Sequence, residues 1–333
     1  MTNTKQILAL LRSRAEGDDD AFYSIALQVA ASEARQGHKT TAEEMRVEIE
    51  RARARRPRGP SIPIAFNQPR GNLEGLIEVR EPRFRMKDVV LAPKLVERID
   101  DVVLQQRKRE WLREHGRVPG RRLLFVGPPG SGKTMSAEAL AGELHLPLYV
   151  IRLEGLITRF MGDTAAKLRL VFDESAKRRG VYLFDEFDAV GGHRTAPNDV
   201  AEMRRVLNSF LQFMEEESAT DSLIVCATNH PELLDRALLR RYDQVLEFAA
   251  PSREQIREIV TNHLRPMKAA RVAWTKVIEA AQHLSQSEIV RATDDAVKSA
   301  ILAERKSIST DDLVKRLTER QDMRVSFTER RIT

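Results

Sequence analysis

The chain lacks the features that mark several broad classes of protein. Its single cysteine, Cys226, excludes an intrachain disulfide framework and fits a reducing, cytoplasmic setting. No apolar run approaches the ~18 residues of a membrane-spanning helix, so no membrane contact is expected. The opening MTNTKQILALLRSRAEG lacks the long apolar stretch and small-residue cleavage site of a secretion signal. Neither HExxH nor GxSxG occurs, so the chain has no protease signature of its own. Internal repeats and long low-complexity tracts are missing too. Nor does one charge sign dominate: 55 Lys and Arg stand against 49 Asp and Glu. That mixed surface permits nucleic acid without demanding it.

What is present is enough for a core. The chain has 333 residues, 42% of them hydrophobic, which suits two or three domains. Residues 1–57 read as three short helices. Ile7, Leu8 and Leu11 mark the first. Phe22, Ile25, Ala26, Val29 and Ala30 give the second one apolar face. Thr41 and Glu44 fit a capping box for the third, whose face carries Met45, Ile49 and Ala52. Residues 58–83 are expected to be a linker, entered through RARARRPRGPSIP. Its arginines fit a solvated helix end and linker better than a nucleic-acid patch.

From 84 to 250 short aliphatic strands alternate with amphipathic helices. The expected strands are Leu123–Gly127, Pro147–Leu153, Val181–Asp185, Ser222–Thr228 and Gln244–Phe248. The alternation predicts an α/β fold on a parallel sheet covered on both faces. Residues 251–322 are helical throughout, predicting an all-helical domain, and 323–333 form a tail. Ile256, Ile259 and Val260 make one stripe, Ile278, Ala281 and Leu284 a second, and Ile289, Ala292, Ala296 and Ala300 a third.

Three stretches carry chemistry. The first is GPPGSGKT, Gly127–Thr134, which follows a strand and opens a helix. Glycines there let backbone N–H groups turn toward phosphate oxygens, and the helix start adds positive potential. Pro129, Gly130, Ser131, Gly132, Lys133, Thr134 and Met135 are the expected nucleotide-binding residues. Lys133 reaches the β- and γ-phosphates, and Thr134 holds Mg²⁺.

The second is VYLFDEFD, a strand ending in Asp185 and Glu186. Asp185 is positioned for Mg²⁺ and Glu186 to polarise an attacking water. ATP hydrolysis follows from that pair, with ATP and Mg²⁺ as the required small molecules. The third is ATNHPELLDRALLRRYD, where Asn229 at a strand tip can hold the same water. Of Arg236, Arg240 and Arg241, the adjacent pair fits an arginine finger presented to a neighbouring subunit's γ-phosphate. The competing reading is a surface salt bridge.

Together, in this order, these motifs resemble the AAA family of ATPases over about residues 84–320. The resemblance implies a P-loop large domain, a C-terminal helical lid and a ring, usually a hexamer. It makes Asn229 the sensor-1 residue and Arg240 and Arg241 the finger positions, although many members place two residues between those arginines. It lays Val89, Val90 and Leu91 over the adenine, with Val90 as the nucleotide contact. In LSQSEIVRATDDAV, Gln286 and Ser287 replace the usual Gly-Ala pair, and no arginine occupies the sensor-2 site; Arg291 lies one turn on. Phe160, Met161 and Gly162 match a pore loop that grips polypeptide, and His193 and Arg194 fall in a second one.

Two functional classes follow. One is a homo-oligomeric motor that threads or remodels a protein substrate. The small stand-alone bacterial members it resembles include some that accompany a subtilisin-like serine protease in candidate phage-defence systems. The other is a nucleic-acid-acting loader or helper ATPase, for which Arg159 and the arginine-rich linker speak. The aromatic Phe160 favours the first.

Overall fold

Strand β4, Val181–Asp185, shows in five residues how this sequence builds its core. Side chains alternate across a strand, and here both faces are apolar. In the computed structural model Tyr182 and Phe184 enter one cluster and Val181 and Leu183 another, all buried. A strand apolar on both sides needs cover on both sides.

The structure describes residues 73, 75–153, 163–188, 197–216, 220–234, 239–265, 267–269 and 272–329 of a unit spanning Ala65–Thr333. Of a second unit, Met1–Ile64, it describes 26, 29, 30, 38, 40–43 and 45–47.

The larger unit contains a six-stranded sheet. Its strands are β1 (Glu78–Arg80), β2 (Arg122–Val126), β3 (Leu148–Arg152), β4, β5 (Leu223–Thr228) and β6 (Gln244–Glu247), in the order β1-β3-β4-β5-β2-β6. All neighbours run parallel except β1, which pairs antiparallel with β3 at the edge. On one face lie α1 (Pro93–Arg107) and α3 (Lys133–Leu144), with Ile99 and Leu140 against Leu123 and Phe125. A short helix, α2 (Arg109–Glu114), follows α1. On the other face lie α4 (Thr164–Lys177) and α5 (Pro197–Glu215). There Phe172, Phe184, Phe187 and Phe210 pack ring against ring, mostly edge-on or tilted, with centroids 4.9–5.5 Å apart. Each buried ring contributes about 1.5–3 kcal/mol. Cys226 is part of this core; burial pushes its thiol up to about 12, far from a reactive thiolate.

The C-terminal region holds α6 (Arg253–His263), α7 (Trp274–Ala281), α8 (Gln286–Leu302) and α9 (Thr310–Glu329) around its own core. The three expected stripes join that core, but Leu284 sits beyond the end of α7 and Ile278 is only partly buried.

Three further differences from expectation have local causes. The expected linker 58–83 contains β1, a three-residue charged edge strand with no apolar alternation to announce it. The all-helical C-terminal region also carries a two-residue parallel pair, β7 (Lys268–Ala269) with β8 (Ser307–Ile308), too short to leave a period. And α9 continues past residue 322, where the tail was expected to begin. In the smaller unit Thr40 is already helical, so Thr41 is inside a helix and not its cap; the Ala42 N–H bonds to the His38 carbonyl. Ala42 is buried there, whereas Met45 is exposed.

Candidate active site

The sheet order places β2 between β5 and β6, with β4 beyond β5. Val126 is level with Thr228, and Phe184 with Cys226. The three motifs therefore leave the sheet side by side at the carboxyl ends of its strands, where open α/β sheets bind ligands.

The Gly127–Thr134 loop departs from β2 without room for side chains. A Cβ at Gly127 would lie 2.2 Å from the Phe248 carbonyl oxygen. Gly130 has a φ of +74°, and a Cβ there would meet Ser287 Oγ at 2.3 Å. Gly132 then starts α3 from the left-handed region, with no side chain capping the helix.

Lys133 is the hub. Its Nζ donates to the carbonyls of Gly127 at 2.7 Å and Pro128 at 2.9 Å, and to Asn229 Oδ1 at 2.8 Å. Burial lowers its pKa to about 8, although the Asp185 and Asp188 carboxylates pull in the opposite direction. A phosphate beside it would stabilise the charged form. Thr134 Oγ1 donates to Asp185 Oδ2 at 3.0 Å. A hydroxyl and a carboxylate are hard oxygen donors, a set that fits Mg²⁺. Ser131 Oγ is buried with no protein partner, leaving a proton to donate within the loop.

Glu186 is exposed and has a φ of +54°. A non-glycine residue in that region costs on the order of 1–3 kcal/mol. The turn has a use: it lets the Phe187 N–H reach the Ala227 carbonyl at 2.9 Å and brings the following carboxylate under β5. That carboxylate, Asp188, is the residue sequence reasoning missed. Its Oδ1 accepts from Thr228 Oγ1 at 3.0 Å and from the Asn229 N–H at 3.1 Å. It fixes the strand tip that presents Asn229 to Lys133. The signal was the second aspartate of DEFD, three residues after Asp185.

The remaining expected residues are placed as follows. Val90 has its side chain in the C-terminal core with Ile256 and Val260, so what it turns to the cleft is backbone. Its carbonyl accepts from Gln286 Nε2 at 2.9 Å. Val89 and Leu91 pack instead in the sheet core. Met135 packs at the edge of that same core. Pro129, Gly130 and Ser131 line a cavity of about 340 Å³ closed on its far side by Leu284–Glu288. The Ser287 N–H donates to the Gly130 carbonyl at 3.1 Å, joining the two walls. Arg240 is exposed, and Arg241 is ion-paired with Glu215 of its own chain. Arg159, Phe160, Met161, Gly162, His193, Arg194 and Arg236 lie outside the described residues. Among the described residues no helix is long and apolar enough to cross a membrane, and no cluster of three His, Cys, Asp or Glu side chains is arranged to hold a metal.

Comparison with known sequences agrees with this geometry. Residues 123–250 match the family model described as "ATPase family associated with various cellular activities (AAA)". An uncharacterized AAA family ATPase, y4kL, of Sinorhizobium fredii is 31% identical over 303 residues, covering 91% of each chain. The ATP-dependent zinc metalloprotease FtsH of Acidobacterium capsulatum is 30% identical over 83% of this chain and 45% of its own length. FtsH of Acidothermus cellulolyticus is 31% identical over 71% of this chain and 37% of its own. The chain thus spans less than half of either FtsH.

Proposed function

Because the chain belongs to the AAA family and is an ATPase, we propose that it is an ATP-driven, ring-forming motor that remodels or threads a protein substrate. The observation that carries the chemical part is the convergence of Lys133, Thr134, Asp185, Asp188 and Asn229 at adjoining strand ends. Lys133 and the N–H groups of Gly130–Thr134 hold the β- and γ-phosphates. Thr134 and Asp185 hold Mg²⁺, which when bound offsets phosphate charge. Glu186, at the exposed end of β4, orients and polarises the attacking water, and Asn229 holds that water from the other side.

The arginines complete the site from a neighbouring subunit. Arg241 is tied to Glu215 within its own chain, whereas Arg240 is exposed on the same turn. Arg240 is accordingly the working finger. A finger supplied in trans contributes ~10³–10⁵ in rate, which links hydrolysis to assembly as a homo-oligomer, a hexamer by analogy with the family.

A protein substrate is supported by the FtsH relatives, whose match spans most of this chain and less than half of theirs. The sequence carries no HExxH, so degradation, where it occurs, belongs to a separate partner such as a serine protease. Phe160, Met161 and Gly162 are proposed to grip the polypeptide, with His193 and Arg194 in a second pore loop. Residues 1–57 are proposed to recruit substrate or partner, ahead of the ATPase domain of 84–250 and the lid of 251–322.

The test is capture with Glu186→Gln protein in ATP. It should hold a closed ring with a bound polypeptide; recovery of nucleic acid in place of protein overturns the substrate class. Phe160→Ala should then keep ATPase activity and release the polypeptide.

A further inference from the structure

At the amino ends of the strands, away from the glycine loop, helix α2 is pinned from one side. Arg113 Nη2 donates to the buried Asp221 carboxylate at 2.7 Å, and Arg109, one turn earlier, lies 3.9 Å from the same group. Asp221 stands just before β5, so the contact holds α2 against the start of the sheet. Gln105 Oε1 accepts from the Gly120 N–H at 2.9 Å, and Gln106 Nε2 donates to the Gly120 carbonyl at 3.0 Å. These bonds fix the loop that leads from α2 into β2.

Trp111 is two residues from each of those arginines, about 200° round the helix from both. It therefore faces away from the anchor, and it is 57% exposed. Lys108 Nζ lies 6.0 Å over the indole, and the His115 ring centroid is 4.5 Å from it. Leu104, one turn before Lys108, is exposed as well, as are Arg117 and Val118 in the loop after α2. The Arg117 side chain has no ion-pair partner among the described residues. Residues 105–122 hold seven Lys and Arg against two Asp and Glu, a net +5 in a chain of net +6. The core side of α1, with Leu95, Ile99, Val102 and Val103, is elsewhere. An indole held out among cations adds little to that core.

We propose that the outer side of α2 and the loop after it bind single-stranded nucleic acid, with a base stacked on Trp111 and with Lys108 and Arg117 against the phosphates. The ring stands out from a convex helix. A flat base stacks on a protruding ring whatever the sequence, whereas a peptide side chain needs a pocket that strips it of water. The surrounding positive charge matches a backbone with one negative charge per nucleotide. Arg109 and Arg113 serve the surface from beneath by holding α2 in place. The surface lies at the opposite end of the strands from Gly127–Thr134, so its role is independent of the nucleotide site and of the protein substrate.

The chain has two tryptophans, so full-length Trp274→Phe protein leaves Trp111 as the sole reporter and serves as the parent. An oligothymidylate of about 20 nucleotides should quench its fluorescence saturably, as stacking on the indole requires. With a labelled strand read by anisotropy, Trp111→Ala should weaken binding about 10-fold and keep the salt dependence, the loss of one stacked base. Trp111→Phe should keep part of that affinity. The double variant Lys108→Gln, Arg117→Gln should weaken binding and also lower the salt slope by about 1.4, at ~0.7 per phosphate contact. All these side chains are exposed, so unfolding midpoints should stay near the parent's. Lys133→Ala should bind the strand as the parent does; a loss there moves binding to the phosphate loop and overturns the proposal. Absence of quenching overturns it, and so does parental affinity in either Trp111→Ala or the double variant. Polyglutamate that binds as tightly and quenches Trp111 as fully overturns it in favour of an acidic polypeptide. None of these outcomes bears on ATP hydrolysis, which is read separately.

Discussion

Two helices begin at the same cleft and begin in opposite ways. Helix α8 starts from Ser285, whose Oγ accepts from the Glu288 N–H while the Glu288 carboxylate accepts from the Ser285 N–H. Helix α3 starts from Gly132, in the left-handed region, with no side-chain cap. The first helix has its Ser285 and Glu288 N–H groups capped by its own side chains and its Ser287 N–H taken by the Gly130 carbonyl. The second leaves its own for an anion, and the buried Lys133 adds charge at the same place. A missing cap is ordinarily a loss of roughly 1 kcal/mol. At α3 the omission leaves N–H groups suited to an anion.

Breaking the uncapped end has the largest expected effect. Lys133→Ala should weaken ATP binding by about 100-fold or more, since it removes charged contacts worth ~1.5–3 kcal/mol each. Equilibrium titration measures this, and near-parental affinity would show that the backbone alone suffices. Next comes the support beneath Asn229. Asp188→Ala removes the acceptor for Thr228 Oγ1 and the Asn229 N–H. It should lower kcat about tenfold with a smaller change in KM, as expected for a group that positions the reacting water. A change confined to KM would move Asp188 from orienting to binding.

Smaller effects belong to the capped ends. Ser285→Ala should cost about 1 kcal/mol of stability, read as a lower unfolding midpoint, with ATP binding still measurable. The start of α9 supplies a pH test of the same kind. Asp312 accepts from the Ser309 N–H and hydroxyl and pairs with Arg305, and the Arg305 contact leads in holding its pKa down at about 2. A carboxylate lowered from 3.8 favours the folded state above pH ~4, and that contribution disappears as pH falls toward 2. The stability difference between the parent and Asp312→Asn should therefore shrink across that window. A constant difference would mean that the cap works without the charge.

The sheet was legible because its buried strands are short aliphatic runs bounded by glycine or charge. β4 was read to the residue. β1 was not, because an edge strand of Glu-Val-Arg needs neither alternation nor apolarity to pair. The phosphate loop and its acids were legible because their spacing is fixed by the ligand they suit. Asp188 was not. Asp188 acts through a register between β4 and β5. That alignment belongs to tertiary structure and leaves no local period. Arg240 and Arg241 could not be told apart by spacing either; in the structure Arg241 pairs with Glu215 and Arg240 is exposed.

Gly127 has one more consequence. Its missing side chain lets the Phe248 carbonyl close against the root of the phosphate loop, while the Phe248 N–H holds the Val126 carbonyl at 2.7 Å. Residues 249–251 then lead directly into the lid. The glycine loop and the base of the C-terminal helical region are thus anchored at one point. A shift of that loop would not have to cross the sheet to reach the helices, because both chains leave the sheet at the same place.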